Sequence, residues 1–238
     1  MGSAEPQVMG ELSDHPLENP AWYALTGPQA DFAESYGQAV RFRPDMCPFA
    51  ALSADAGDGA WADLAALGGG AGSTVVIAGP ERTPPPGWTA VMDLPGVQFD
   101  GTGLAVGPDP DALVLGPGDV PEMLDLVERT RPGPFRAETI AMGTYLGFRD
   151  GAGALVAMAG ERMRPPGWTE ISGVCTDPAH RGRGLATRLV RAVGAVIRDR
   201  GDVPFLHTTR DNAAAIRVYE AMGFVRRRPL QFAAYRVP

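Results

Sequence analysis

The chain contains no lysine: all 21 of its basic residues are arginine. That excludes a P-loop, which needs its phosphate-binding lysine, and Schiff-base catalysis by a lysine amine. Cysteine is nearly absent. Cys47 and Cys175 alone do not make a disulfide framework, and a reducing cytoplasm is the expected address. The 3 histidines, His15, His180 and His207, lack metal-ligand spacing, so no metal is expected. No apolar run reaches membrane-spanning length. The polar opening, residues 1–6, reads as a loose end without the apolar core of a signal peptide.

Glycine and proline are plentiful instead, at 31 and 23 of 238 residues, which together with the missing lysine reads as a GC-rich coding bias. A hydrophobic content of 45% with 21% charged residues describes a soluble globular protein of one large or two small domains. The net charge of -7 is unevenly spread. Residues 1–109 hold 3 arginines against 14 acids, whereas residues 110–238 hold 18 against 14. An anionic ligand therefore belongs with the second part, and the overall acidity argues against nucleic acid as a partner.

A Gly/Pro/Asp-rich stretch over residues 100–110 reads as a linker between an N-terminal α/β half, 1–109, and a second domain, 110–238. A short segment recurs on either side. Glu81-Arg82-Thr83-Pro84-Pro85-Pro86-Gly87-Trp88-Thr89 lines up, 80 residues on, with Glu161-Arg162-Met163-Arg164-Pro165-Pro166-Gly167-Trp168-Thr169, seven of nine positions being identical. This hints at two related halves. In the first, helices are expected at 21–25 and 59–67 and strands at 39–43, 73–78 and 88–93, with Trp22, Trp61 and Trp88 in the core. In the second, strands are expected at 112–115, 145–149, 154–163, 169–176, 204–208 and 224–237. Helices are expected at 120–129, with Asp119 as N-cap, at 135–142, at 184–199 and at 212–222, with Gly223 just past the end.

The most informative stretch follows the strand that ends at Val174-Cys175-Thr176. A Gly/Arg turn, Arg181-Gly182-Arg183-Gly184, leads into a helix through Leu185, Ala186 and Thr187. Leu185, Leu189, Val193, Val196 and Ile197 fall on one face of that helix. Gly182 and Gly184 let the main chain approach a ligand closely. The first helical N–H groups have no internal partner, and the arginines add donors suited to phosphate oxygens. The pattern points to a phosphorylated ligand.

These residues also fit the [Q/R]-x-x-G-x-[G/A] motif of the GNAT superfamily of N-acetyltransferases. The second signature is Asn212-Ala213-Ala214-Ala215-Ile216-Arg217-Val218-Tyr219-Glu220-Ala221-Met222-Gly223-Phe224, which resembles that superfamily's closing N-x-x-A-x-x-x-Y-x-x-x-G-F pattern. The element order βααβββαβαβ over residues 111–238 is similar too. The tandem layout, with a degenerate first half, is similar to the glycine N-acyltransferase-like branch. The resemblance implies an α/β fold of layered α+β type. Its sheet would be mixed and mostly antiparallel, flanked by helices and preceded by a smaller GNAT-like half.

It also implies acetyl-CoA as acyl donor, its pyrophosphate held by Arg181, Gly182, Arg183, Gly184, Leu185, Ala186 and Thr187. The strand Val174, Cys175 and Thr176 would pair with the pantetheine arm, and the Val174 N–H would polarise the thioester. Gly173 would mark a bulge that opens the cleft. Asn212 would hydrogen-bond the cofactor and Tyr219 would protonate the leaving thiolate. Glu170 is the expected general base, its pKa raised by the protein interior; the other reading is a solvent-facing Glu170 beside Arg162 or Arg164, and Glu161, Glu138 or a water chain are the alternative bases. Cys175 is expected to point away from the cofactor and to be a buried small residue rather than a nucleophile. His207 and Thr209 fall near the cleft. Arg226-Arg227-Arg228 reads as a solvated strand edge that could meet the cofactor's 3′-phosphate.

The expected function is acetyl transfer to a primary amine of a small molecule or amino acid by direct attack in a ternary complex. A non-catalytic acyl-CoA-binding or sensing module is the alternative. A dinucleotide-dependent oxidoreductase is disfavoured, because Thr187 stands where the third glycine of G-x-G-x-x-G belongs. No nucleic-acid or membrane partner is expected, and the oligomeric state is open.

Overall fold

A computed structural model describes residues 15–57 and 59–238, so the opening residues 1–6 lie outside the described part. The first half supplies α1 (Pro20–Leu25), β1 (Ala33–Tyr36), β2 (Ala39–Phe42), β3 (Phe49–Leu52), α2 (Ala60–Gly68), β4 (Thr74–Gly79) and β5 (Thr89–Asp100). The second supplies β6 (Leu113–Leu115), α3 (Val120–Thr130), β7 (Tyr145–Arg149), β8 (Leu155–Glu161), β9 (Trp168–Thr176), α4 (Leu185–Asp199), β10 (Val203–Thr209), α5 (Ala213–Ala221) and β11 (Val225–Arg236). A 3-10 turn, Thr139–Met142, stands where a helix was expected at 135–142.

All eleven strands join one sheet in the order β1-β2-β3-β4-β11-β5-β10-β9-β8-β7-β6. Only β3 with β4 and β9 with β10 pair in parallel; the other neighbours are antiparallel. The last strand of the first half, β5, lies between β10 and β11, so the first half completes the sheet of the second. In the two repeated segments Gly87 and Gly167 are both left-handed, at φ +95° and +75°. Their flanking strands differ, because β8 pairs with β9 directly while β11 separates β4 from β5.

The segment expected as a linker is packed rather than free. Leu104 is fully buried, and Gly194 of α4 leaves it room, since a Cβ there would come within 2.7 Å of a Leu104 methyl. Apolar burial of this kind stabilises the joint between the halves.

Helices cover both faces of the second half. Leu189, Val193 and Ile197 of α4 and Ile216 of α5 pack on Phe99, Phe148, Ala157 and Leu206, whereas Met123 and Leu126 of α3 pack on Tyr145, Met158 and Cys175. Val196 is only half-buried. The first half's core reaches into the second: Leu17, Phe42 and Phe49 cluster with Met142, Met163 and Phe205. Trp22, Trp61 and Trp88 are half-buried against these clusters. Asp119 does stand at the N-cap of α3, but its carboxylate accepts from the Gly116 N–H at 2.7 Å and pairs with Arg149 instead of capping.

Candidate active site

The sheet parts between β9 and β10. Their pairing runs from Trp168–Val203 to Glu170–Phe205 and stops there. On its other side β9 carries a bulge against β8, between the Cys175 and Ser172 pairings. Gly173 lies in it at φ +64°, a left-handed conformation that glycine adopts without strain. A cavity of about 780 Å³ fills the parting. Its walls are residues 171–176 of β9, 207–209 of β10, the loop 131–134 after α3, and parts of α4 and α5. Phe49, Val76, Met92, Leu94 and Phe232 enclose it from the first half and β11.

The Gly/Arg turn stands at the mouth of this cavity. Gly182 and Gly184 are left-handed, at φ +76° and +72°, and the space around both is open. Gly184 is the N-cap of α4 and offers no side-chain cap, so the N–H groups of Leu185, Ala186 and Thr187 are left to an incoming anion. Arg181 lines the cavity and donates to the Thr176 carbonyl at 3.3 Å, while Arg183 is exposed. The Thr176 hydroxyl is buried and has no hydrogen-bond partner among the described residues. Orphaned donors, room for close approach and cationic side chains suit a pyrophosphate. Among the described residues no group of His, Cys, Asp and Glu is arranged to hold a metal.

Glu170 departs from expectation. It was expected to carry a raised pKa. Burial does push its carboxyl up, but Arg162 outweighs burial and, with the His207 hydrogen bond, holds it down at about 2. Arg162 donates from Nε to Oε2 at 2.9 Å and from Nη2 to Oε1 at 2.8 Å. The His207 Nδ1 lies 2.8 Å from Oε1. Glu170 and Arg162 are both buried. The Met163 N–H, 3.4 Å from Oε2, takes the fourth acceptor position, so this carboxylate has no lone pair to spare for a substrate proton.

The chain of contacts continues into the first half. The Gln98 amide N–H₂ meets His207 Nε2 at 3.1 Å, and its oxygen accepts from Arg227 at 3.0 Å. These directions put the His207 ring proton on Nδ1. Of the other carboxylate alternatives, Glu161 is buried against Arg200 at 2.9 Å, and Glu138 is exposed but lies outside the cavity.

Tyr219 and Asn212 both line the cavity. Tyr219 is held edge-on by Phe99 and Phe224, and its hydroxyl makes no hydrogen bond among the described residues. Burial pushes its phenol up to about 12, above the ordinary value near 10 expected from sequence, so it stays protonated. Asn212 caps α5 through its side-chain oxygen, which accepts from the Ala215 N–H at 3.2 Å, leaving the amide N–H₂ for a ligand. Val174 packs toward α4 and Cys175 toward α3, as strand alternation requires. Burial raises the Cys175 thiol to about 11, which leaves it a poor nucleophile.

Thr209 and His207 line the cavity, whereas the run Arg226-Arg227-Arg228 does not. β11 is an interior strand rather than an edge. Arg226 pairs with Glu220, and Arg227 and Arg228 both pair with Glu18, so this run serves the fold. Gln98 was missed in the sequence, and Arg162 was weighed only as a solvent-exposed neighbour of Glu170. The available signal was a charged residue closing an otherwise apolar strand, repeated as Arg82.

Comparison with known proteins adds the following. The family model described as FR47-like protein matches residues 145–237. The N-alpha-acetyltransferase RimI of Mycobacterium tuberculosis is 40% identical over 85 residues, 34% of this chain and 52% of that protein. A mycothiol acetyltransferase of Mycobacterium sp. (strain JLS) is 29% identical over 159 residues, 56% of this chain and 49% of that protein. The chain thus spans about half the length of the curated relatives it matches. A solved structure from Novosphingobium aromaticivorans, described as a GNAT-family acetyltransferase, superposes with a TM-score of 0.86 at 42% identity, covering 94% of this chain and 100% of that one.

Proposed function

The chain belongs to the GNAT family of acetyltransferases, and from that premise we propose that it moves an acetyl group from acetyl-CoA to a primary amine of a small molecule or amino acid. The observation that carries this reading is the uncapped N-terminus of α4, with left-handed Gly182 and Gly184, at the mouth of the cavity between β9 and β10. In the same reading the first half is a degenerate relative of the second, as in the glycine N-acyltransferase-like branch. The repeated Pro-Pro-Gly-Trp segments support it.

The residues divide the chemistry as follows. Arg181, Gly182, Arg183, Gly184, Leu185, Ala186 and Thr187 hold the pyrophosphate, and Asn212 adds a donor. β9, through Val174, Cys175 and Thr176, lies along the pantetheine arm. The Val174 N–H polarises the thioester oxygen as negative charge develops on it. A neutral amine attacks the thioester carbon, the new C–N bond forms and the C–S bond breaks. Tyr219 gives its proton to the departing thiolate. The proton lost by the amine leaves through water in the cavity, which returns one to the Tyr219 phenolate, because Glu170 is already saturated by Arg162, His207 and the Met163 N–H. Glu170 thereby serves as a positioning residue for those two side chains.

A screen of amines for thiol release from acetyl-CoA tests the reading, and release dependent on an amine is expected. Acetyl-CoA bound without release to any amine would favour the non-catalytic module instead. Direct attack also requires no enzyme thiol, so Cys175→Ala is expected to keep kcat within about twofold. A loss of hundredfold or more, with a burst of acyl-enzyme in the wild type, would contradict direct transfer.

A further inference from the structure

The charges that face the cavity constrain the acceptor, granted the acetyl-transfer reading above. Three arginines line it, Arg131, Arg162 and Arg181, and among the described residues no aspartate or glutamate does. This holds in a chain whose net charge is -7. Arg181 stands at the pyrophosphate end. Arg162 does not.

Arg162 is 6% exposed, and the cavity is the open space it borders. Its guanidinium lies over the Phe49 ring at 4.9 Å. Glu170 grips it side-on, through Nε and Nη2. The Nη1 group makes no hydrogen bond among the described residues. The end-on edge of the fork, Nη1 with the second proton of Nη2, therefore remains available. A planar edge of two N–H donors matches the two oxygens of a carboxylate. These donors are left to cavity water, which a ligand carboxylate would displace. Phe49 lies against the guanidinium and Phe232 stacks on Phe49, and with Val76, Met92 and Leu94 they make this side of the cavity apolar.

The geometry points to an acceptor that is an amine with an apolar body and a carboxylate, its carboxylate bound end-on by Arg162. Glu170 fixes the guanidinium plane so that the free edge meets the acceptor. Polycationic acceptors are disfavoured, because no lining carboxylate faces their extra charges.

The test is thiol release from acetyl-CoA with matched probes: leucine against leucinamide and isoamylamine, phenylalanine against phenylalaninamide and phenethylamine, and spermidine as the polycation. Values of kcat/KM are compared per unprotonated amine. The acids are expected to exceed their amides and decarboxylated partners by about 10–100-fold. Equal or faster release with the amides, the simple amines or spermidine would overturn the proposal and leave acetyl transfer standing. Release with no probe, from protein that binds acetyl-CoA, would overturn both. Arg162→Lys keeps a charge for Glu170 but loses the fork. In that variant the acid-to-amide ratio is expected to fall toward about 1 with acetyl-CoA affinity unchanged, and a ratio preserved in full would contradict the role. Should this variant fail to fold, the wild-type ratio decides alone.

Discussion

Tyr219→Phe is expected to lower kcat by about 10²–10⁴-fold, the usual contribution of a positioned general acid. The substitution is clean because the hydroxyl makes no hydrogen bond among the described residues, so its removal leaves no buried group without a partner. The ring keeps its edge contacts with Phe99 and Phe224. Acetyl-CoA affinity and the melting temperature should therefore stay close to wild type while turnover collapses. Since burial holds the phenol at about 12, the wild-type acid remains protonated across the working range of pH. A variant with wild-type kcat would remove Tyr219 from the mechanism and leave it a packed aromatic.

Glu170→Gln is expected to destabilise the fold by about 3–5 kcal/mol, because the Arg162 charge then stays buried without its counter-ion. For a chain of this size that is a fall in melting temperature of roughly 6–20 °C. The pH dependence has a definite sign. The carboxyl sits at about 2 in the folded protein against an ordinary value near 4.5. Its contribution is present in full above the ordinary value and is lost as pH falls toward the folded one. Wild-type stability should drop between about pH 5 and 2, and the variant should be flatter over that window. A variant as stable as wild type at pH 7 would mean that Arg162 finds water or another partner.

The conformation of the Gly/Arg loop was legible in the sequence because each of its requirements is local. Gly182 and Gly184 supply the left-handed backbone, and the apolar face of α4 has helical period over 15 residues. Gly173 was legible for the same reason, as a glycine inside a strand. The position of Glu170 was also readable, but its state was not. That state depends on Arg162, eight residues away across a strand turn, and on His207, 37 residues away on β10. Arg162 is near enough in sequence to be weighed as a neighbour, but periodicity shows neither that the pair is buried nor that His207 joins it.

The first half was harder to read. β3 is four residues, Phe49–Leu52, with no β-branched side chain, and β1 is a partly exposed edge strand. Both were missed. The placing of β5 between β10 and β11 is a long-range pairing with no local signature. It brings Met92 and Leu94 beside the candidate site, on a strand that runs to Asp100 rather than ending at residue 93 as expected.

Calorimetric titration of acetyl-CoA into the wild type and into Gly184→Glu tests the central claim most directly. One site is expected in the wild type, with a Kd in the range of about 1 µM to 1 mM typical of enzyme substrates. Gly184→Glu should lose it, since a carboxylate at the N-terminus of α4 repels the pyrophosphate and a side chain at φ +72° strains the turn. The variant's melting temperature shows whether it is folded. Undiminished binding by Gly184→Glu, or none by the wild type, would contradict the account and leave the Gly/Arg turn a connector between β9 and α4.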